Sequence, residues 1–300
     1  MPDRTPDRQP PTQSSERIAA VDGRGEHTRR DGEVDATTAR RELLLAIADD
    51  ELVTGHRSSH WTGVAPSIEE DLAFSTIAQD EVNHADVWYQ VLLTPDNGEV
   101  DRAEVDALGL GRPADGYRHA VLCERPPRDF AYTLARHWLY DHADTVRLAT
   151  LVDSSDPDVA AVAAKLLHEE RYHLEHADLW FRRLTGGGDE PRRRFRAGLE
   201  LALPEAMWLF EPSVGADVAR ESGLLPESFA TMFARWAEFV AASLDAVGLG
   251  DIAPGSLRTG SADGLFDRPG GRHGVHSDDF TADVWPEMTT LYRSHPGAQW

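Results

Sequence analysis

The chain carries two Glu-x-x-His tetrads, Glu81-Val-Asn-His84 and Glu170-Arg-Tyr-His173. Each lies inside a long segment whose apolar residues recur at helical spacing, which predicts an α-helix. Positions i and i+3 of a helix project from the same face, so each tetrad presents a carboxylate and an imidazole side by side. One tetrad is a weak signal because both residues are common on helices. Two tetrads, each with a partner carboxylate, indicate the ligand set of a di-iron or di-manganese centre inside a helical bundle.

Capping residues and helix breakers predict four long helices around these tetrads, over residues 37–61, 67–94, 129–152 and 157–185. Ser67-Ile-Glu-Glu70 is a capping box at the start of the second helix, and Asp156-Pro157 is a typical start for the fourth. Residues 95–127 contain several Gly and Pro and have only weak periodicity, which predicts a crossover connection. Two helices, a long crossover and two further helices form the ferritin-like topology.

The flanking segments complete the predicted organisation. Residues 1–34 are polar and charged with little apolar content, which predicts a disordered N-terminal tail. Residues 35–300 are predicted to form one ferritin-like helical domain with a C-terminal helical extension. The extension contains helices over 191–210, kinked at Pro204, and over 226–247, and a last helix from Ser277 that Pro286 kinks or breaks. The fold class is therefore all-α, a ferritin-like four-helix bundle with additional C-terminal helices.

Two further carboxylates complete the candidate metal site. Glu51 lies on a stripe of the first helix that includes the small residues Gly55 and Ser58, which leave room beside it. Asp141 lies on an inward-facing stripe of the third helix. Four carboxylates and two imidazoles would neutralise two divalent cations and suit iron or manganese. The six candidate ligands are Glu51, Glu81, His84, Asp141, Glu170 and His173.

Each assignment has an alternative. The run Asp49-Asp50-Glu51 is acidic, and such runs are usually solvated. Asp144 competes with Asp141, and Glu169 competes with Glu170, although the spacing to the histidine selects Glu170. Each tetrad by itself is more often a surface pair. The remaining histidines of these helices lie mostly off the inward stripe and are predicted to be surface residues or to support the ligands: His56, His60, His137, His142, His168 and His176.

Composition excludes several functional classes. A chain of 300 residues with a formal net charge of −22 is a poor partner for nucleic acid or for an anionic membrane surface. We find no apolar run long enough to span a bilayer and no signal peptide. Cys123 is the only cysteine, which rules out an intrachain disulfide and a Cys-ligated iron–sulfur cluster or zinc ribbon. These features predict a cytoplasmic protein.

Several stretches resemble the ferritin-like subunits of the multicomponent ring-1,2-phenylacetyl-CoA epoxidase, most closely the C-type subunit. The resemblance covers about residues 40–300, and the C-terminal block is its most specific part. The matching stretches are Ala65-Pro66, Glu70-Asp71-Leu72-Ala73, Ala135-Arg136 with Asp141, Ser155-Asp156-Pro157, Arg171-Tyr172-His173-Leu174, Gly270-Gly271-Arg272-His273-Gly274-Val275-His276 and Pro296-Gly297-Ala298-Gln299-Trp300.

The resemblance implies a component of a di-iron oxygenase that epoxidises the aromatic ring of an aryl-CoA thioester with O2. It implies two iron ions, a homologous ferritin-like partner subunit and a separate reductase that supplies electrons. The A-type subunit of this family is catalytic and has the ligand pattern Glu, Glu-x-x-His, Asp, Glu-x-x-His, which this chain matches at all six candidate positions. Glu51, Glu81 and Glu170 would then also act in catalysis. The C-type subunit is usually a scaffold with a decayed site, so a non-catalytic structural subunit is the alternative, and a stand-alone ferritin-like oxidase is a third possibility.

The C-terminal region also bears on assembly, because it is rich in aromatic residues. About half of six aromatic side chains are expected to pack the C-terminal helices against the bundle, and the others to contact a homologous subunit. The six are Trp208, Phe210, Phe229, Phe233, Trp236 and Phe239.

Overall fold

The computed structural model describes residues 34–94 and 99–298. The predicted disordered tail, residues 1–34, therefore lies outside the described residues except for Val34. Every regular element in the described part is helical, and no strand occurs there. The predicted all-α class is confirmed.

The first half of the bundle is an antiparallel pair, α1 (Ala36–Ser59) and α2 (Ile68–Leu93), which pack along each other. Their N-caps are the residues that capping chemistry favours. The Asp35 carboxylate accepts a hydrogen bond from the Thr38 backbone N–H at 2.7 Å, and the Ser67 hydroxyl accepts one from that of Glu70 at 3.4 Å.

The crossover is more ordered than its weak periodicity predicts. It contains α3 (Arg102–Leu110) and the single turn α4 (Val121–Glu124). α3 packs on α2 and α4 packs on α1, because Val105, Leu108 and Leu122 are buried against the bundle. Short apolar segments of this kind are held by tertiary packing and not by intrinsic helix propensity.

The second half of the bundle consists of α5 (Phe130–Leu151) followed by α6 (Pro157–Glu169) and α7 (Arg171–Thr185). The continuous fourth helix predicted over 157–185 is wrong in one detail, because Glu170 itself interrupts it. The backbone of Glu170 has φ −60° and ψ −15°, which is still in the right-handed helical region. Its N–H still donates to Leu166 O at 2.8 Å and its carbonyl accepts from Leu174 N at 3.0 Å, so the interruption is a single residue.

The C-terminal extension begins with α8 (Asp189–Ala206), which contains Pro204 and continues as a 3₁₀ turn, Met207–Phe210. Short α9 (Ala216–Glu221), long α10 (Phe229–Ala246) and short α11 (Gly255–Thr259) follow. A π-helical turn, Asp279–Val284, leads into α12 (Trp285–Ser294). Pro286 does not break the chain's helical path, because it lies in the first turn of α12, directly after the change from π-helical to α-helical backbone.

The extension packs on α5 through α8 and α10. Of the six C-terminal aromatics, Phe210, Phe229, Phe233 and Trp236 are buried, whereas Phe239 is 42% exposed. Most of the set therefore builds the core between the extension and the bundle, more than the half expected. Among the described helices, none combines the length and the apolar content needed to cross a membrane.

Candidate metal centre

Four of the six predicted ligands come together at the centre of the bundle. Donor atoms of Glu51 on α1, Glu81 and His84 on α2, and Glu170 between α6 and α7 lie within 4.8 Å of one another. All four side chains are buried. The alternative that Asp49, Asp50 and Glu51 form a solvated run is wrong, because all three are at most 1% exposed.

Both imidazoles of the tetrads point their Nδ1 atoms inward, toward the same carboxylate. His84 Nδ1 lies 2.8 Å from Glu170 Oε1, and His173 Nδ1 lies 2.9 Å from Glu170 Oε2. His173 Nδ1 is also 3.6 Å from Glu81 Oε1. The second tetrad thus joins the centre although His173 is not among the four residues with mutually closest donors.

The outward Nε2 atom of each imidazole faces a second acid. His173 Nε2 lies 3.3 Å from Asp80 Oδ2, and His84 Nε2 lies 3.4 Å from Glu169 Oε2. A carboxylate on the far nitrogen fixes the orientation of a metal-binding imidazole and raises its basicity. Helical spacing alone did not predict this role for Asp80, and it predicted Glu169 only as an alternative to Glu170.

A sequence signal for these outer acids exists. An acidic residue directly precedes each tetrad, giving Asp80-Glu81-x-x-His84 and Glu169-Glu170-x-x-His173. The pairing is crossed, because the acid next to one tetrad faces the histidine of the other. Only the three-dimensional arrangement of the helices reveals this crossing.

Asp141 and Asp144 on α5 have different surroundings. The Asp144 carboxylate accepts a hydrogen bond from Arg147 Nε at 3.0 Å and forms an ion pair with its guanidinium. Asp141 is 1% exposed, and neither of its oxygens has a hydrogen-bond partner, although His137 Nδ1 is 3.1 Å from Oδ1. Asp141 is thus the carboxylate of the two that the protein leaves without a cation.

Several other carboxylate oxygens at the centre are buried without a hydrogen bond. They are Glu51 Oε2 and Glu81 Oε1 and Oε2. Burying an ionised carboxylate without a partner costs several kcal/mol, and buried charges are normally paired or bind metals. The donor types and their unpaired oxygens therefore fit metal ions that prefer carboxylate and imidazole ligands, such as iron and manganese.

Counting the buried charges supports the same fit. Arg147 and Arg272 offset Asp50 and Asp144, with Arg147 Nη1 at 2.6 Å and Arg272 Nη2 at 2.7 Å from Asp50 Oδ2. The candidate ligands Glu51, Glu81, Asp141 and Glu170 remain, with a combined charge of −4 if all are ionised and both imidazoles are neutral. Two divalent cations would balance that charge.

In the metal-free protein, protonation of some carboxyl groups reduces the negative charge that metal ions would otherwise balance. Burial raises the pKa of Glu51 well above its ordinary value, and Asp144 and Glu81 raise it further. Burial also raises the pKa of Asp141. Burial opposes ionisation of Glu170 as well, but hydrogen bonds from His173 and His84 prevail and lower its pKa to about 2. The centre is therefore a mixture of ionised and protonated carboxyls when empty.

A glycine allows α1 and α2 to approach at the centre. A Cβ added to Gly55 would lie 2.9 Å from Glu81 Cβ and 3.0 Å from the Ala78 carbonyl oxygen. The small residue predicted to leave room beside Glu51 is thus the contact point with the helix that carries Glu81.

The other histidines divide as surface and supporting residues. His168 is exposed. His142 Nε2 lies 3.0 Å from Asp178 Oδ1, and His176 Nε2 lies 3.0 Å from Glu70 Oε2, so both pair with acids away from the centre. His137 is buried beside Asp141.

Residues 26–300 match the protein family described as "Phenylacetic acid catabolic protein". The chain belongs to this family. The C subunit of 1,2-phenylacetyl-CoA epoxidase from Escherichia coli (strain K12) is 29% identical over 258 residues. That alignment covers 85% of this chain and 97% of the relative. The resemblance inferred from the sequence, including its C-type character, is confirmed.

Proposed function

We propose that this chain is a metal-binding, ferritin-like subunit of a cytoplasmic multicomponent oxygenase that epoxidises an aromatic acyl-CoA with O2 in phenylacetate catabolism. The observation that carries the proposal is the bundle centre, where buried carboxylate oxygens without hydrogen bonds surround two imidazoles. Family membership and the relative's activity supply the substrate class. A separate reductase would supply the electrons.

The residues of this chain have distinct roles in the proposal. Glu51, Glu81, His84, Asp141, Glu170 and His173 would together hold the two ions. Bound iron would supply the reduction and activation of O2. Asp80 and Glu169 keep the imidazoles oriented, and the buried position of the centre excludes bulk water, which strengthens every charge interaction there.

A structural, non-catalytic subunit is the second candidate, and two observations favour it. Arg147 Nη2 lies 3.1 Å from Glu51 Oε1, so a fixed cation already contacts one candidate ligand. Tyr140 lies beside the centre, and the two cavities that it lines have volumes of about 10 Å³ each, room for one water. A phenyl ring needs a much larger space than either of these two cavities provides.

The partner in either case would be a homologous ferritin-like subunit. An exposed apolar patch lies at the start of α2, where Val64, Ile68 and Leu72 are 66%, 77% and 65% exposed. The spacing of four residues places Ile68 and Leu72 on one face of the helix. Exposed apolar patches of this kind mark interaction surfaces, and the charged variant Ile68→Glu is expected to abolish co-purification with the homologous subunit.

Metal analysis tests the metal-binding proposal. We expect about two irons per chain after expression with iron, and less than one in His84→Ala and in His173→Ala. His168→Ala, a change at an exposed position of α6, is the matched control and should keep both ions. Essentially no iron in the wild-type protein would contradict the proposal.

Reconstitution distinguishes the two candidates. The chain is combined with its homologous ferritin-like partner subunit and a reductase, and oxygenation of phenylacetyl-CoA is followed by mass spectrometry. If this chain carries the reaction, Glu81→Ala abolishes turnover. If the chain is structural, Glu81→Ala leaves turnover unchanged while Ile68→Glu removes it.

A further inference from the structure

A second cluster of metal-binding residue types lies away from the bundle centre, between the end of α1 and the start of α12. His56 and His60 are spaced i, i+4 at the end of α1, which places both imidazoles on one face of the helix. Glu287 projects from the first turn of α12. The donor atoms of these three residues lie within 4.8 Å of one another.

The distances in this cluster fit a shared metal ion better than hydrogen bonds. Glu287 Oε2 lies 3.5 Å from His56 Nε2 and 3.3 Å from His60 Nε2. In a tetrahedral zinc site with ligand distances of about 2.0–2.2 Å, neighbouring donor atoms lie about 3.4 Å apart. Both Nε2 atoms are buried and have no hydrogen-bond partner.

The segment that carries Glu287 is fixed against α1 independently of any metal. Arg57, between the two histidines, donates from Nη1 to Asp283 Oδ2 at 3.1 Å and from Nη2 to Asp279 O at 3.3 Å. Both partners lie in the π-helical turn directly before α12. The protein therefore positions the carboxylate near the imidazoles and uses Asp283 to offset the nearby positive charge of Arg57.

A third cluster shows what a metal-independent arrangement looks like. Glu124 accepts hydrogen bonds from His119 Nε2 at 2.8 Å and from Ser277 N at 2.8 Å, and His276 Nδ1 lies 3.1 Å away. The two imidazole rings stack at 4.1 Å with an angle of 16°. Both oxygens of this carboxylate have protein partners, so Glu124 needs no ion.

We propose that His56, His60 and Glu287 bind one Zn²⁺-class divalent ion, which links α12 to α1. Two imidazoles and one carboxylate provide three of the four ligands of a tetrahedral zinc site. Glu287 is 53% exposed, so water can provide the fourth. His56 also lines an open cavity of about 530 Å³ together with Met288 of α12, so the ion lies at the edge of a space that small molecules can enter. This inference does not depend on the function of the bundle centre.

Zinc stoichiometry tests the proposal. Metal-depleted full-length protein is dialysed against Zn²⁺, and bound zinc is counted in wild type, His60→Gln, Glu287→Gln and the exposed control His168→Gln. We expect the first two variants to lose one zinc per chain and the control to lose none. His84→Ala, which disables the bundle centre, should retain this zinc, so failure at either site is recognised separately.

A spectroscopic measurement reports the geometry. Co²⁺ added to His84→Ala should give the intense visible bands of tetrahedral cobalt, and the further change Glu287→Gln should abolish them. Unchanged zinc stoichiometry in both His60→Gln and Glu287→Gln would overturn the proposal. If His60→Gln loses helicity, Glu287→Gln decides the test alone, because its side chain is half exposed.

Discussion

Asp50 and Glu51 are adjacent on α1 and both are buried, yet Asp50 is fully hydrogen-bonded whereas Glu51 has an oxygen without a partner. Asp50 accepts hydrogen bonds from Arg147 Nη1 at 2.6 Å, Arg272 Nη1 at 2.8 Å and the Ala120 backbone at 2.8 Å. Glu51 has one contact with Arg147 and an oxygen without any partner. Successive helix positions point about 100° apart, so the two carboxylates belong to different environments.

The contrast separates two uses of a buried charge. On the side of α1 that carries Asp50, arginines of the same chain neutralise the carboxylate. These contacts hold the crossover and the C-terminal segment against α1. The Glu51 side faces Glu81, with too few internal cations. Buried carboxylates without a partner therefore indicate a ligand-binding site, whereas buried carboxylates paired with arginine stabilise the fold.

The largest expected effect on stability comes from removing an arginine that pairs with Asp50. Arg272→Met removes the cation that contacts Asp50 and three backbone carbonyls, those of Ala46, Arg118 and Leu209. We expect a loss of about 3–5 kcal/mol in the free energy of unfolding, because Asp50 keeps a buried, under-compensated charge. Urea unfolding followed by circular dichroism measures it.

Arg268→Met is the matched control for this change. Arg268 is exposed in the same Gly-rich segment, so its replacement should alter stability by less than about 0.5 kcal/mol. A loss below about 1 kcal/mol for Arg272→Met would show that the arginine network is not what holds this side together.

The second effect, on stability and metal binding, comes from forcing α1 and α2 apart beside Glu51 and Glu81. Gly55→Ala places a methyl group 2.9 Å from Glu81 Cβ and 3.0 Å from a backbone oxygen. Overpacking of this kind costs about 1–3 kcal/mol, and the displaced Glu81 should also weaken metal binding. Parallel measurement of unfolding and iron content checks both; normal iron content would show that Glu81 tolerates the shift.

Local sequence spacing predicted the features that depend on one helix. The tetrads, their stripes and the start of each bundle helix follow from i, i+3 and i, i+4 spacing and from capping chemistry, and the four bundle helices begin within one residue of the predicted positions. The interruption at Glu170 was missed because a one-residue irregularity that keeps a helical backbone conformation leaves no mark in the hydrophobic pattern.

Features that depend on distant contacts could not be read from spacing. The ion pair of Asp50 with Arg272 joins residues 222 positions apart, and that with Arg147 joins residues 97 apart. Without these partners in view, the run Asp49-Asp50-Glu51 is indistinguishable from a solvated face. The outer acids Asp80 and Glu169 were overlooked for the same reason, because each orients an imidazole on the other half of the bundle.

The third effect is a pH dependence that has opposite signs for Asp144 and Asp50, two buried acids that both contact Arg147. Burial, together with Glu170 and Glu81, raises the pKa of Asp144 to about 7. Its folded pKa lies above the unfolded value of 3.8, so the metal-free protein gains stability as pH falls through about 7. Burial of Asp50 is outweighed by Arg272 and Arg147, which lower its pKa, so its contribution is lost only below 3.8.

We therefore expect the metal-free protein to be about 1.4 kcal/mol more stable at pH 6 than at pH 8 through Asp144 alone. Urea midpoints at the two pH values measure the gain, and Asp144→Asn should remove it. The same gain in Asp144→Asn as in wild type would assign the pH dependence to other acids of this highly charged chain.

The smallest effect most directly tests the meaning of an unpaired carboxylate. Glu51→Gln keeps the shape and an oxygen for Arg147 but removes a charge that burial, Asp144 and Glu81 all disfavour. In the metal-free protein we expect unfolding free energy to be unchanged or raised by about 1 kcal/mol, while iron binding falls sharply. Asp50→Asn, the neighbouring and equally isosteric change, should instead destabilise the protein, because it leaves Arg147 and Arg272 without their shared anion. If both variants lose stability equally without metal, the unpaired oxygens of Glu51 do not identify a ligand site.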